Sequence, residues 1–118
     1  MEKKIAVLGG GTGISTILRG LKYYTKDISA IVSMSDDGGG SGILREELKI
    51  LPPGDVRRCL IALSNTDKTL KDLLNYRFSS GSLDNQNVGN ILIAALTDIA
   101  GSFDKAVIEM SNVCLLYT

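Results

Sequence analysis

Residues 6–18 read AVLGGGTGISTIL, and this stretch decides the class of fold. The apolar run before the glycines, Ile5 to Leu8, has no alternation, which is typical of a parallel strand buried on both faces. Beyond the glycines, apolar residues recur with helical spacing from Ile14 to Leu21. The sequence therefore predicts a strand over 4–9, a glycine turn, and a helix from Ile14 to about Tyr24.

A second apolar run covers residues 28–34 and ends at the stretch SDDGGGSG, residues 35–42. A strand, a helix and a second strand within about 30 residues form a βαβ unit, whose two strands are expected to be parallel. Further helices are predicted at REELKIL (45–51), from Asp55, around Leu70–Leu74, over 89–100 and over 103–112. The helix over 89–100 is apolar on nearly all sides and is predicted to be buried.

Two strands are fewer than a doubly wound sheet contains. The last residues, VCLLYT at 113–118, can begin a third strand, but nothing follows them in the sequence. We therefore expect the chain to be the opening portion of a larger α/β protein, truncated after its first strands and helices.

Composition narrows the range of partners. The 118 residues carry 13 basic and 13 acidic side chains, which gives no support to nucleic-acid or membrane-surface binding. Histidine is absent, and Cys59 and Cys114 lie far apart, so the usual zinc sites and His-dependent catalytic pairs are excluded. Cys59 shares an apolar helix face with Val56 and Leu63 and is predicted to pack in the core. We expect a reduced, cytoplasmic protein with a small-molecule ligand.

The glycine block is the first candidate site. A strand that runs through glycines into a helix exposes backbone N–H groups at the positive end of the helix dipole, where phosphate binds. The block is not a G-x-G-x-x-G fingerprint, because Ile14 or Thr16 stands where the last glycine is required, and it lacks the Walker A lysine. The alternative is a plain tight turn. Thr12 and Ser15 either donate hydroxyls to a phosphate or cap the helix.

The acidic glycine loop is the second candidate site. Asp36 and Asp37 follow the second strand, at the sheet edge where open α/β sheets bind ligands. Their carboxylates suit a ribose hydroxyl or a Mg²⁺ ion that holds a diphosphate. The alternative is a solvated loop whose acids cap the next helix.

Three stretches together resemble the amino-terminal part of the bacterial YvcK family, the gluconeogenesis factors: VLGGGTGISTILRGLKYYT (7–25), AIVSMSDDGGGSGILREELKILPPGDVRRCLIAL (30–63) and GNILIAALT (89–97). This family is part of the CofD-like group, whose best-defined member is 2-phospho-L-lactate transferase. The resemblance covers residues 4 to about 113. It implies a Rossmann-like α/β fold, a parallel sheet with helices on its faces, with residues 1–118 as the amino-terminal part of a single nucleotide-binding domain.

The resemblance also implies a set of ligand-binding residues. Gly10, Gly11, Thr12 and Gly13 match the first loop of the family, and Asp36 and Asp37 match its acidic loop. Arg57 ends the stretch PGDVR (53–57), which matches the third motif of the family, and it suits a phosphate through its bidentate fork, although a salt-bridged helix arginine is the competing interpretation. Asn90 begins the apolar helix, where it can bind a ligand or act as a cap.

The function that the resemblance implies is a nucleotide-sugar-binding regulator, with UDP-N-acetylglucosamine or a related UDP-sugar as ligand. The family acts in growth on gluconeogenic carbon sources, cell shape and cell-wall precursor supply, with oligomers or regulatory protein partners expected for the full-length protein. The alternatives are a Mg²⁺-dependent transferase resembling 2-phospho-L-lactate transferase, with Asp36 and Asp37 on the metal, an NAD-binding protein, and an inactive fragment.

Overall fold

The computed structural model describes residues 3–33 and 53–114, with only the backbone at residues 11 and 12. The predicted helix over 45–51, the acidic loop and most of the predicted third strand lie outside these ranges. The described elements are β1 (Ile5–Gly9), α1 (Gly11–Leu21), β2 (Ile28–Val32), α2 (Gly54–Leu63), α3 (Lys68–Asn75), a 3₁₀ turn (Gly81–Leu83), α4 (Val88–Ala100) and α5 (Phe103–Val113).

The two strands form the predicted parallel pair. Their register runs from Ile5 opposite Ile28 to Gly9 opposite Val32. The backbone N–H of Ser33 extends the pairing by donating to the carbonyl oxygen of Gly9 over 2.7 Å. Because α1 connects the strands, β1, α1 and β2 are the βαβ unit that the sequence predicts, and the α/β class is confirmed. Both strands end at one edge of the sheet, directly beside the glycine block.

Helix α1 begins earlier than predicted. Its first residue is Gly11 rather than Ile14, and the cap position is Gly10, whose backbone is extended. Thr12 and Ser15 are therefore inside the helix, and the prediction that either of them caps it is wrong. Glycine is a poor helix former, but burial of Ile14 and Leu18 along one face of α1 overrides the local preference. The glycine block is thus the cap and first turn of the helix.

Two apolar clusters meet at α2. The first cluster lies between the sheet, α1 and α2 and contains Ile14, Leu18, Cys59 and Ala62. The second joins α2 to α3, α4 and α5 through Leu60, Leu74, Ile93, Met110 and Cys114. The predicted packing of Cys59 in the core is confirmed. Since Cys59 and Leu60 belong to different clusters, α2 is the element that holds the sheet layer and the helical layer together.

Only one face of the sheet is covered by the residues described. Val7, Ile28, Ala30 and Val32 pack against the first cluster, whereas Leu8 is 71% exposed and Ile31 is 59% exposed. Burial therefore alternates along the strands, and the prediction of strands buried on both faces is wrong for this part of the chain.

Helix α4 differs from its prediction in a similar way. Gly89, Asn90, Ile93 and Ala94 are buried, but Ile99 is 79% exposed. The helix packs against α3 and α5 through one face, so it is not buried on all sides.

We predict that Leu18→Ala and Leu8→Ala have very different effects on the free energy of unfolding. Leu18 is fully buried, and its truncation should cost about 2–5 kcal/mol by leaving a cavity. Leu8→Ala should change the stability by less than about 0.5 kcal/mol, because its side chain is exposed in the chain. Urea unfolding of the 118-residue chain measures both values. Similar losses for the two variants would contradict the described packing.

Candidate functional site

The first turn of α2 lies directly against the glycine block. A Cβ atom added at Gly10 would lie 2.9 Å from the Cβ of Ser33 and 3.5 Å from Oδ2 of Asp55. Glycine is required at position 10 by the close approach of Ser33 at the end of β2, whereas the first turn of α2 lies at an ordinary contact distance. A buried carboxylate is therefore placed beside the proposed phosphate loop.

Asp55 is the functional candidate that the sequence interpretation did not include in the site. The sequence predicts only that a helix begins at Asp55; in the structure Asp55 lies in the first turn of α2, and the cap position is Pro53. Its Oδ1 accepts a hydrogen bond from Nη1 of Arg58 over 2.7 Å. The sequence feature that could have identified Asp55 is the motif PPGDVRR, in which an acid follows proline and glycine at a helix start.

The glycine block presents an open surface at its other side. Gly13 is exposed, and a Cβ atom added there would have no neighbour within 4 Å among the described residues. No side chain caps α1 or α2, whereas Asp67, Asn87 and Ser102 cap α3, α4 and α5 by accepting from backbone N–H groups. The two helices that meet at the glycine block are therefore the two whose first turns have no side-chain cap among the residues described.

Arg57 and Asn90 are brought together by the fold. Nη1 of Arg57 donates to Oδ1 of Asn90 over 3.0 Å, and both residues are buried. The backbone N–H of Asn90 donates to Oδ1 of Asn87, which is the N-cap of α4. Asn90 is therefore not the cap of its helix. A guanidinium buried this deeply requires polar partners, and Asn90 is one of them.

Gly89 makes this arrangement possible. A Cβ atom added at this position would lie 2.5 Å from the carbonyl oxygen of Leu74 and 2.8 Å from Cδ of Arg57. The first turn of α4 therefore packs against the end of α3 and the side chain of Arg57 at a distance that only glycine permits. The sequence interpretation assigned the Gly89-Asn90 pair to the helix start without recognising this contact.

The remaining predicted site residues are only partly described. Asp36 and Asp37 lie outside the described ranges, as does the side chain of Thr12. Ser15 is buried on α1. Within residues 3–33 and 53–114, no group of three or more His, Cys, Asp or Glu side chains is placed to hold a metal ion. Asp55 is the described carboxylate that lies beside the glycine block.

Cys59 lies one turn along α2 from Asp55. Burial raises the pKa of its thiol to about 11, and the charge of Asp55 acts in the same direction, while Arg58 opposes it. Burial also raises the pKa of Cys114. Both thiols are therefore protonated at neutral pH, and neither has the low pKa of a catalytic cysteine.

Sequence comparison identifies the class of protein that this arrangement belongs to. Residues 5–117 match the family described as 2-phospho-L-lactate transferase CofD, and the chain belongs to that family. This confirms the resemblance found in the three sequence motifs.

Individual relatives are consistent with this family. The chain is 54% identical over 113 residues to the gluconeogenesis factor of Bacillus subtilis. The aligned region covers 95% of the chain and 36% of that relative. It is 58% identical over 110 residues to a relative from Clostridium acetobutylicum, of which it covers 24%. A crystal structure from Bacillus halodurans, of a protein described as a member of the UPF0052 family, matches with a TM-score of 0.91 and 47% identity. That match covers 98% of this chain and 38% of the crystallised one.

The chain therefore spans about a quarter to just over a third of the length of these relatives. Among residues 3–33 and 53–114, no helix is long and apolar enough to cross a membrane.

We predict that Gly89→Ala destabilises the chain, whereas Gly20→Ala does not. The new methyl group at position 89 would overlap the backbone carbonyl of Leu74, and such overpacking costs about 1–3 kcal/mol. Gly20 is helical with open space around it, so alanine there should increase the free energy of unfolding by up to about 1 kcal/mol. Urea unfolding curves of the two variants test the close approach of α4 to α3. Equal stabilities of the two variants would refute that approach.

We also predict a loss of stability above pH 9, to which Cys59 contributes. The unfolded thiol gives up its proton near its ordinary pKa of 9.0, whereas the folded thiol retains it up to about 11. The unfolded state is thus favoured as the pH rises through this interval, and the stability contributed by the protonated thiol is lost. Denaturant unfolding between pH 8 and pH 11 should show a smaller decline for Cys59→Ala than for the parent chain. The same decline in both would show that Cys59 does not titrate differently in the folded state.

Proposed function

We propose that this chain forms the phosphate-binding wall of a nucleotide-sugar site, in a protein that acts as a regulator rather than as an enzyme. The expected ligand is UDP-N-acetylglucosamine or a related UDP-sugar. The observation that carries the proposal is the open first turn of α1 at Gly13, which directly follows a parallel strand, with the buried carboxylate of Asp55 beside the cap residue Gly10.

The chemistry of these groups supports a ligand with both phosphates and hydroxyls. The N–H groups at the start of α1 and the positive end of its dipole suit a diphosphate. The carboxylate of Asp55 would repel a bare phosphate but accepts hydrogen bonds from hydroxyl groups, as a ribose or a sugar supplies. A nucleotide sugar offers both chemistries within one molecule.

The other predicted ligand-binding residues enter the proposal in different ways. Arg57 and Asn90 take part as a hydrogen-bonded pair at the start of α4, next to the turn of α2 that carries Asp55. Asp36 and Asp37 remain the expected partners of the ribose. Mg²⁺ on these two acids would belong to the transferase alternative.

The names of the relatives support a biological setting for this site. Because relatives more than 50% identical to the chain include a gluconeogenesis factor, we propose that ligand binding serves growth on gluconeogenic carbon sources. Roles in cell shape and cell-wall precursor supply, and a place in the cytoplasm, are part of the same proposal. Oligomers and regulatory protein partners are proposed for the full-length protein.

The family description favours a second candidate, a transferase that resembles 2-phospho-L-lactate transferase. Phosphoryl-group chemistry depends mainly on positioning and charge, so the absence of histidine does not argue strongly against it. The regulator is the preferred candidate because relatives more than 50% identical to the chain include a gluconeogenesis factor.

We predict that Gly13→Val weakens binding of UDP-N-acetylglucosamine at least about tenfold and that Gly20→Val leaves it unchanged. Both glycines are in α1 and both have open space around them, so the two substitutions should be tolerated equally by the fold. Only valine at position 13 projects a side chain at the proposed phosphate site. Isothermal titration calorimetry of the parent chain and both variants measures the affinities.

The same titrations separate the candidate functions. Binding of GDP that requires Mg²⁺ would favour the transferase and contradict the regulator, and preferential binding of NAD would favour the NAD-binding alternative. Equal affinities for the two valine variants would refute the phosphate loop. A parent chain that binds none of these ligands would contradict the proposed site in this chain.

A further inference from the structure

A cavity of about 390 Å³ lies between α1, α2 and α3, along the flank of α1 from Ser15 to Lys22. Five of its lining side chains are cationic: Arg19, Lys22, Arg57, Arg58 and Lys71. None of the described residues that line it is acidic. A concentration of positive charge in one concave site is unexpected in a chain whose net charge is zero.

Three of these cations, Arg19, Lys22 and Lys71, have no carboxylate partner among the described residues. Arg58 is paired with Asp55. Nζ of Lys22 donates to the carbonyl oxygen of Ser64 over 3.1 Å, and Arg57 donates to the amide of Asn90, so the acceptors of these bonds are neutral. In the described part of the chain no ion pair joins Arg19 or Lys71 to an acid.

The charges in the cavity repel one another. Burial lowers the pKa of Lys22, and the neighbouring charges of Lys71 and Arg19 lower it further. These three side chains come from two different helices, α1 with its C-terminal cap and α3. The fold therefore holds like charges together at a cost in stability, and a bound anion would offset that cost.

We propose that this cavity binds a multivalent phosphate anion, a diphosphate or triphosphate group, at a site separate from the glycine block. Its volume is within the range of about 300–1,000 Å³ that is typical of small-molecule sites. Arginine binds phosphate oxygens through a bidentate fork, and lysine adds point charges. A concave site of this size accommodates a compact anion, whereas a nucleic acid requires an extended basic stripe.

The site goes beyond the proposed nucleotide-sugar function and does not depend on it. The cavity shares Ser15 and Arg57 with the residues predicted for the nucleotide-sugar site, but the cations that distinguish it, Arg19, Lys22 and Lys71, have no part in the glycine block. The anion can be inorganic, such as pyrophosphate or triphosphate, or it can be the phosphate chain of a nucleoside triphosphate. The two sources share the same chemistry and can be distinguished in the titration.

The test is calorimetric titration of the 118-residue chain with inorganic triphosphate at low ionic strength. We expect Lys71→Gln and Arg19→Gln each to weaken binding about tenfold, the loss typical of one charge-assisted contact. The matched control is Lys105→Gln, which removes the same charge from an exposed position on α5 outside the cavity and should leave the affinity unchanged. A parallel titration with ATP shows whether the nucleoside adds affinity.

Thermal unfolding shows whether a variant that loses binding is still folded. Lys71→Gln should raise the unfolding temperature in the absence of multivalent anions, because it relieves repulsion, and should reduce the increase that triphosphate produces. Equal weakening by Lys105→Gln, or no binding of triphosphate to the parent chain, would overturn the proposal.

The second pair of variants separates this site from the glycine block. Gly13→Val should retain triphosphate binding, and Lys71→Gln should retain UDP-N-acetylglucosamine binding. A failure of the nucleotide-sugar proposal alone would leave the triphosphate results unchanged. Loss of triphosphate binding in Gly13→Val would mean that the triphosphate occupies the glycine block, and it would also overturn the proposal.

Discussion

The buried guanidinium of Arg57 is the constraint on which the arrangement of the helices depends. A charged group removed from water requires polar partners, and the amide oxygen of Asn90 supplies one at 3.0 Å. Asn90 can reach this position only because Gly89 lets the first turn of α4 lie against the carbonyl of Leu74. Arg57, Asn90 and Gly89 thus fix where α4 begins relative to α2 and α3.

Helix α2 transmits this constraint to the candidate site. Its first turn places Asp55 beside the glycine block, and one turn further along, Cys59 packs in the first apolar cluster and Leu60 in the second. Successive residues of one helix therefore determine the position of the carboxylate, the guanidinium and both cores. A displacement of α2 would move the acid beside the proposed phosphate loop together with the start of α4.

The sequence predicted the elements better than their surroundings. The period of apolar residues was sufficient to place β1, β2 and the later helices within a few residues, because that period reflects the face each element buries. It failed for α4, where Ile99 is apolar yet exposed, because a pattern of apolar residues cannot tell which neighbours cover them. The position of Asp55 beside the glycine block was missed for a related reason, because Asp55 and Gly10 are distant in the chain. The contact between Gly89 and Leu74 is a tertiary approach that no local pattern encodes.

The described sheet has two strands, so both of its strands have an outer edge that no neighbour in residues 3–33 and 53–114 occupies. Backbone N–H and C=O groups along such an edge can hydrogen-bond any extended segment that reaches them, whether from the same molecule or another. The uncovered side chains of Leu8 and Ile31 add an adhesive apolar surface next to these edges. The βαβ unit can therefore pair with a further strand at either edge of its sheet. In a concentrated solution the same property favours aggregation.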